Sequence, residues 1–262
     1  MNPSDLKSHL ELCRRLGIRY ISTGGASVRE TEASSTPETF LDEKPLSPAP
    51  PFISSGADGD VPPWLTVSAE TEEAKRLTAF DREICGCQKC PLGKTRTKFV
   101  FGSGNPRARV MFVGEAPGAD EDAQGLPFVG RAGQLLTKII ESTQAFKRQD
   151  VFICNVLKCR PPGNRTPQPE EVEQCRPYLE EQIRVVKPWL IMALGASAAQ
   201  ALLRTQAAVG KLRNQWHDLG GIPLRVTYHP AALLRFEGYK KDVWADMKEL
   251  TAKFQEISQN QK

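Results

Sequence analysis

The chain has 262 residues, enough to bury a sizeable core in one large domain or two small ones. Apolar and charged fractions of 40% and 25% are those of a globular protein, and no run approaches the ~20 apolar residues of a membrane helix, so a membrane-spanning helical protein is excluded. The net charge of +4 is unevenly placed: residues 1–80 carry 8 Lys and Arg against 12 Asp and Glu, and residues 81–262 carry 27 against 19, so the later part suits a polyanionic partner.

In chain order, residues 1–20 hold a short amphipathic helix over 4–16, with Leu6, Leu10, Leu12 and Leu16 among charges. Residues 21–69 are rich in Ser, Pro, Gly, Thr and acids and read as a disordered linker. A folded domain is expected over 70–262. Its first helix runs from about Glu70 to Ile84, followed by Cys85-Gly-Cys87-Gln-Lys-Cys90. Four apolar runs, 108–114, 151–157, 189–195 and 222–228, read as strands. The intervening helices are expected at Arg131–Thr143, at Pro169–Val186 with Thr166 and Pro167 as start signals, and at Ala196–Leu203, with a closing helix at Lys241–Phe254. This alternation predicts a three-layer α/β/α sandwich with a central, mostly parallel four-stranded sheet. Ligands in such folds sit beyond the carboxyl ends of the strands, which directs attention to the loops at 114–130, 155–165, 195 onward and 229–235.

The first residues are mixed and charged rather than signal-like, so a cytoplasmic, bacterial location is expected. Seven cysteines in such a chain point to metal binding or burial, not to disulfides. Cys87 and Cys90, with Cys159 and Cys175 downstream, can supply four thiolates, leaving Cys85, Cys13 and Cys154 as spectators. Cys85 offers a competing pairing, and spacing alone leaves zinc and an iron–sulfur cluster both open.

Several segments together resemble the family-four, iron–sulfur uracil-DNA glycosylases: GEAPGADED after the first strand, then GLPFVGRAG, CNVLKCRPPGNRTP after the second strand and HPAALLR after the fourth. The resemblance covers about residues 83–254 and includes the order of the four cysteines. It implies a [4Fe–4S] cluster rather than zinc, and hydrolysis of the N-glycosidic bond of uracil in single- or double-stranded DNA by a monomer.

Glycosylases extrude the damaged nucleotide into a pocket, read its edge and stabilise charge as the bond to the sugar breaks. His229 is suited to donate to uracil O2 as negative charge develops there. The Asn155 amide complements the uracil O4 and N3–H edge, and Phe128 offers a ring for the base to stack on. Gly114, Glu115 and Ala116 form a loop whose small residues let backbone approach the base. Family-one enzymes carry an aspartate at the slot of Ala116, so the water activator is open, and Glu121 is nominated from its match to a family position. Leu233 or Leu234 is expected to wedge into the duplex while Arg235 meets phosphate. Arg131, Lys158, Arg160 and Arg165 are further candidate phosphate contacts. Two rival readings remain: a catalytically silent iron–sulfur DNA-binding or redox-sensing module, and a zinc-stabilised nucleotide-binding domain.

Overall fold

The structure, a computed structural model, describes residues 70–260; the helix expected over 4–16 and the linker over 21–69 lie outside the described residues. Its elements are α1 (Glu72–Ile84), β1 (Ser103–Gly104), β2 (Val110–Gly114), α2 (Ala119–Gln124), α3 (Arg131–Ser142), β3 (Phe152–Asn155), α4 (Pro169–Val186), β4 (Leu190–Leu194), α5 (Ala196–Leu203), α6 (Val209–Leu212), β5 (Trp216–Leu219), β6 (Ile222–Thr227), α7 (Pro230–Leu233) and α8 (Tyr239–Asn260).

The four expected strands form the parallel centre of the sheet, in the order β3-β2-β4-β6. Every residue of β2 and β4 is buried because helices cover both faces. The faces follow the two-residue period of a strand. Met111 and Val113 pack toward α1, α4 and α5, whereas Val110 and Phe112 pack toward α3 and α8.

The sheet has six strands, not four. β1 and β5 pair antiparallel at its edges, with β3 and β6 respectively. β5 and β6 close through Gly220 and Gly221, with φ of 61° and 90°, and Leu219 opposite Ile222. Two positive φ values are what a tight, right-twisting hairpin turn requires, so the Gly-Gly pair was a legible signal. At the other edge a Cβ on Gly104 would stand 1.9 Å from the Val151 carbonyl oxygen, so only glycine lets β1 approach β3.

The helices start and stop close to expectation. Thr71 caps α1 by accepting from the Ala74 N–H. α4 starts at Pro169 with Gln168 at its cap, so Thr166 is not the capping residue. α8 is longer than predicted at both ends.

One buried ionic network fixes the strand end on which the site depends. The Asp246 carboxylate in α8 is fully buried and accepts from Arg213 Nε at 2.9 Å, Arg225 Nη2 at 3.3 Å and Thr227 Oγ1 at 2.7 Å. Arg213 also lies 4.4 Å above the Tyr228 ring, which stacks on Tyr239 at 4.0 Å. Residues 227 and 228, just before His229, are therefore anchored from three sides. Asp246→Ala leaves the buried Arg225 guanidinium without its counter-ion and Arg213 with only Asp242, 3.5 Å away; a loss of about 3–5 kcal/mol is expected in denaturant unfolding, and a loss under 1 kcal/mol would show the network to be dispensable.

Candidate active site

Beyond the carboxyl ends of β2, β3 and β6 lies a cavity of about 430 Å³, whose walls include Glu115, Ala116, Phe128, Asn155, His229 and Arg235. Each strand delivers its own part: Gly114 ends β2, Asn155 ends β3, and His229 follows β6 by two residues. The residues predicted to meet the base thus come together in one place.

Phe128 is buried and holds a left-handed backbone, φ 54°, which an aromatic residue adopts only when its surroundings compel it. Three contacts do so. Arg148 Nη2 donates to the Pro127 carbonyl at 2.8 Å. Glu121 Oε1 accepts from the Val129 and Gly130 N–H groups at 2.9 and 3.0 Å, and its Oε2 accepts from the Gly118 N–H at 3.1 Å. From below, the chain rests on Gly133, where a Cβ would lie 1.9 Å from the Phe128 carbonyl oxygen. Burial pushes the Arg148 pKa down, opposed by the charges of Glu121 and Glu141. Arg148 went unremarked in the sequence, where nothing local marks a residue acting across the fold. Glu121 lines the cavity, with three of its roughly four acceptor positions committed to backbone.

Asn155 is buried, and its Oδ1 has no hydrogen-bond partner among the described residues. A buried acceptor left open costs ~1–3 kcal/mol, so such an atom marks where a ligand donor fits. His229 caps α7: its Nδ1 accepts from the Ala231 N–H at 3.2 Å, which leaves the ring proton on Nε2. The reading of this residue as a capping histidine and its reading as a pocket donor are therefore both satisfied by one ring. Burial first, and the charge of Arg235 second, push its pKa down to about 4, so the ring is neutral near pH 7. Its centroid lies 5.7 Å from that of Phe128. Gly195, at φ 89°, lets β4 end beside it, since a Cβ there would stand 3.0 Å from His229 Cβ. Ala116 lines the cavity without an ionisable group, and Glu115 accepts from the Ser197 hydroxyl, which ties its loop to α5.

The rim separates the candidate DNA contacts. Leu233 is 1% exposed and packs in the core, so it cannot enter a duplex; Leu234 is 49% exposed and can. Arg235 is exposed at the cavity mouth. Phe236, which sequence reasoning missed, is 60% exposed at the same rim. Arg131 is exposed at the start of α3. Arg165 reaches the cavity but holds both oxygens of Glu171, at 2.9 and 2.6 Å, and Arg160 donates to Asn164 Oδ1 at 2.8 Å. Lys158 is a correction. With 0% exposure it cannot reach phosphate, because the turn after β3 folds it inward toward α4.

Cys87, Cys90, Cys159 and Cys175 line one small cavity with Phe99 and Tyr178, while Cys85 is exposed outside it and Cys154 lies in the sheet core. Arg96 donates to the Cys87 carbonyl at 2.6 Å and to Cys159 Sγ at 3.2 Å. The Tyr178 hydroxyl donates to Cys87 Sγ at 3.2 Å. Burial pushes the Cys159 thiol up and the Cys175 thiol up to about 12, so these sulfurs become thiolates only with strong compensation such as a metal supplies. Among the described residues no three His, Cys, Asp or Glu side chains group to hold a single metal ion.

Residues 101–248 match the family model of the uracil DNA glycosylase superfamily. The chain is 44% identical over 177 residues to a type-4 uracil-DNA glycosylase of Archaeoglobus fulgidus, covering 64% of this chain and 88% of that protein. It is 48% identical over 151 residues to a type-4 enzyme of Thermotoga maritima, covering 57% and 78%. A type-5 uracil-DNA glycosylase of Pyrobaculum aerophilum is 32% identical over 146 residues, covering 50% and 64%.

The lowered pKa of His229 has a defined sign. The unfolded ring takes a proton near 6.5 and the folded ring only near 4, so stability is complete above 6.5 and falls as the pH drops between the two. The group's share is on the order of 3 kcal/mol at low pH. Denaturant unfolding from pH 7 to 4 should show a smaller decline in His229→Gln, and NMR titration of the ring should give a midpoint near 4; a midpoint near 6.5 would contradict its burial.

Proposed function

Since this chain belongs to the type-4 uracil-DNA glycosylases of the uracil DNA glycosylase superfamily, we propose that its cavity receives an extruded uracil between Phe128, Asn155 and His229. The reaction is hydrolysis of the N-glycosidic bond of uracil in DNA, releasing uracil and leaving an abasic site for repair. The observation that carries the site assignment is the open, buried Oδ1 of Asn155.

Uracil presents a donor at N3 and an acceptor at O4, and the Asn155 amide answers both. Cytosine reverses that pair, leaving two buried polar groups unmatched at ~1–3 kcal/mol each. Phe128, rigid on its compelled backbone, stacks against the flat ring of the base. As the bond to the sugar lengthens, negative charge grows on the uracil oxygens. Nε2–H of a neutral His229 meets that charge at O2 without the desolvation cost of a buried cation. The backbone of Gly114–Ala116 supplies further close contact. Glu121 positions the Phe128 loop, and its remaining Oε2 acceptor position orders the water that captures the sugar cation. This arrangement suits a dissociative path, in which a strong base at the position of Ala116 is not needed.

Leu234 fills the space left by the extruded nucleotide, with Phe236 beside it, and Arg235, Arg131 and Arg160 face phosphates. Arg165 braces the 161–168 loop through Glu171. Cys87, Cys90, Cys159 and Cys175 hold a [4Fe–4S] cluster; when bound, it supplies a rigid covalent pin for the DNA-facing loop between Cys159 and Cys175. The order of the four cysteines, which matches that of the iron–sulfur enzymes the motifs resemble, favours this group over one zinc ion. We read the protein as a monomer of the bacterial cytoplasm acting on single- and double-stranded DNA. The absence of a carboxylate at Ala116 favours, as the second reading, a silent DNA-binding or redox-sensing module.

An oligonucleotide with one uracil, treated with protein and then hot alkali, decides between the two: cleavage is expected, and an intact strand that still binds protein selects the silent module. His229→Ala and Asn155→Ala should each slow single-turnover excision by about 10²–10³-fold. Near-normal rates in both would refute the pocket assignment. Iron and acid-labile sulfide should be found in the anaerobically purified protein, and zinc alone would remove the cluster.

A further inference from the structure

Lys158 is the one lysine among the largest fully buried side chains of the described residues. Its Nζ donates to the Asn155 carbonyl at 2.8 Å and to Gln182 Oε1 at 2.6 Å. Gln182 in turn donates through Nε2 to the Phe101 carbonyl at 2.9 Å. Both acceptors are neutral, and among the described residues no carboxylate pairs with Lys158. A cation sealed from water with only neutral partners is costly, so a negative charge is expected nearby.

The thiol cavity supplies it. The backbone N–H of Lys158 donates to Cys175 Sγ at 3.4 Å, and the next residue, Cys159, lines the same cavity. Four thiolates carry more negative charge than a Zn²⁺ ion or a [4Fe–4S]²⁺ core cancels, so a loaded site is anionic. The turn from Asn155 to Cys159 therefore joins the proposed base-recognition residue to a proposed metal ligand, with the Lys158 side chain folded inward onto the Asn155 carbonyl and Gln182.

We propose that Lys158 is a positioning residue: the buried counter-ion of the metal–thiolate group, which couples the loading of that group to the placement of Asn155 through the bond from Nζ to the Asn155 carbonyl. This rests on the assignment of the four cysteines to an iron–sulfur cluster. Electrostatic pairing gives the lysine a reason to be interior, and the neutral acceptors aim it.

The test compares the loaded wild type with Lys158→Met and Lys158→Gln, reading iron and sulfide content, the midpoint potential of the cluster, and kcat and KM for uracil excision. A nearby cation favours the reduced, more negative cluster, so both variants should show a potential shifted to more negative values. Lys158→Gln can still donate to the Asn155 carbonyl and should recover excision relative to Lys158→Met while its potential stays lowered. An unshifted potential in a loaded variant overturns the proposal, as does a Lys158→Gln potential restored to that of the wild type. Iron absent from the wild type refutes the cysteine assignment instead, a separate outcome. Should neither variant fold with its cluster, ¹⁵N NMR of the wild type decides. A solvent-protected Lys158 Nζ signal broadened by the paramagnetic cluster supports the pairing, and an unaffected signal overturns it.

Discussion

No side chain can be carried at position 114, and the site is arranged around that constraint. A Cβ there would stand 2.4 Å from Asn155 Oδ1 and 2.5 Å from Phe128 Cζ. Bare backbone at the end of β2 is what lets an amide from β3 and a ring from the following loop share one slot. The ring needs help to stay there, because its backbone lies in a region that L-residues avoid. Arg148, Glu121 and Gly133 provide it from three directions. The resulting surface is held by the protein's own contacts, so in the function proposed little ordering cost falls on the binding step.

Burial acts on three kinds of group here, with a different result for each. It holds His229 neutral, which makes a proton donor available without a charge to desolvate. At Cys159 and Cys175 it raises the cost of a bare thiolate, so a metal is what can stabilise the ionised sulfurs. At Lys158 it encloses a lysine side chain whose own backbone N–H donates to Cys175 Sγ. In the pairing we propose, the two buried charges are opposite in sign and offset each other. The segment from Asn155 to Arg165 joins the sulfur cavity to the base pocket, so the two regions are one structural unit despite their different chemistry.

The fold was largely legible. Continuous apolar runs bounded by glycine or asparagine identify strands covered on both faces, and residues 108–114, 151–157, 189–195 and 222–228 all contain one. The edges were missed because two residues at Ser103–Gly104, or a half-exposed Trp216–Leu219, carry too few apolar positions to show a period. The Gly220–Gly221 turn would have revealed the second of them. Among candidate site residues, Phe128, Asn155 and His229 were singled out by the motifs that carry the family resemblance together with strand-end position, and the three line one cavity. Leu233 and Leu234 could not be separated by inspection, since the helical turn at Pro230–Leu233 decides which one faces the core. Phe236 and Arg148 carried no motif at all.

Length, periodicity, strand-end loops and the order of cysteines by themselves determined a parallel α/β sheet, a pocket beyond its strand ends and a four-thiol site, because these depend on spacing along the chain. Tertiary structure alone decided the direction of each side chain. It turned Lys158 inward, set the proton of His229 on Nε2, left Oδ1 of Asn155 without a partner and forced Phe128 into its backbone conformation. Those outcomes follow from contacts between segments tens of residues apart, whose burial and hydrogen-bond geometry no local pattern encodes.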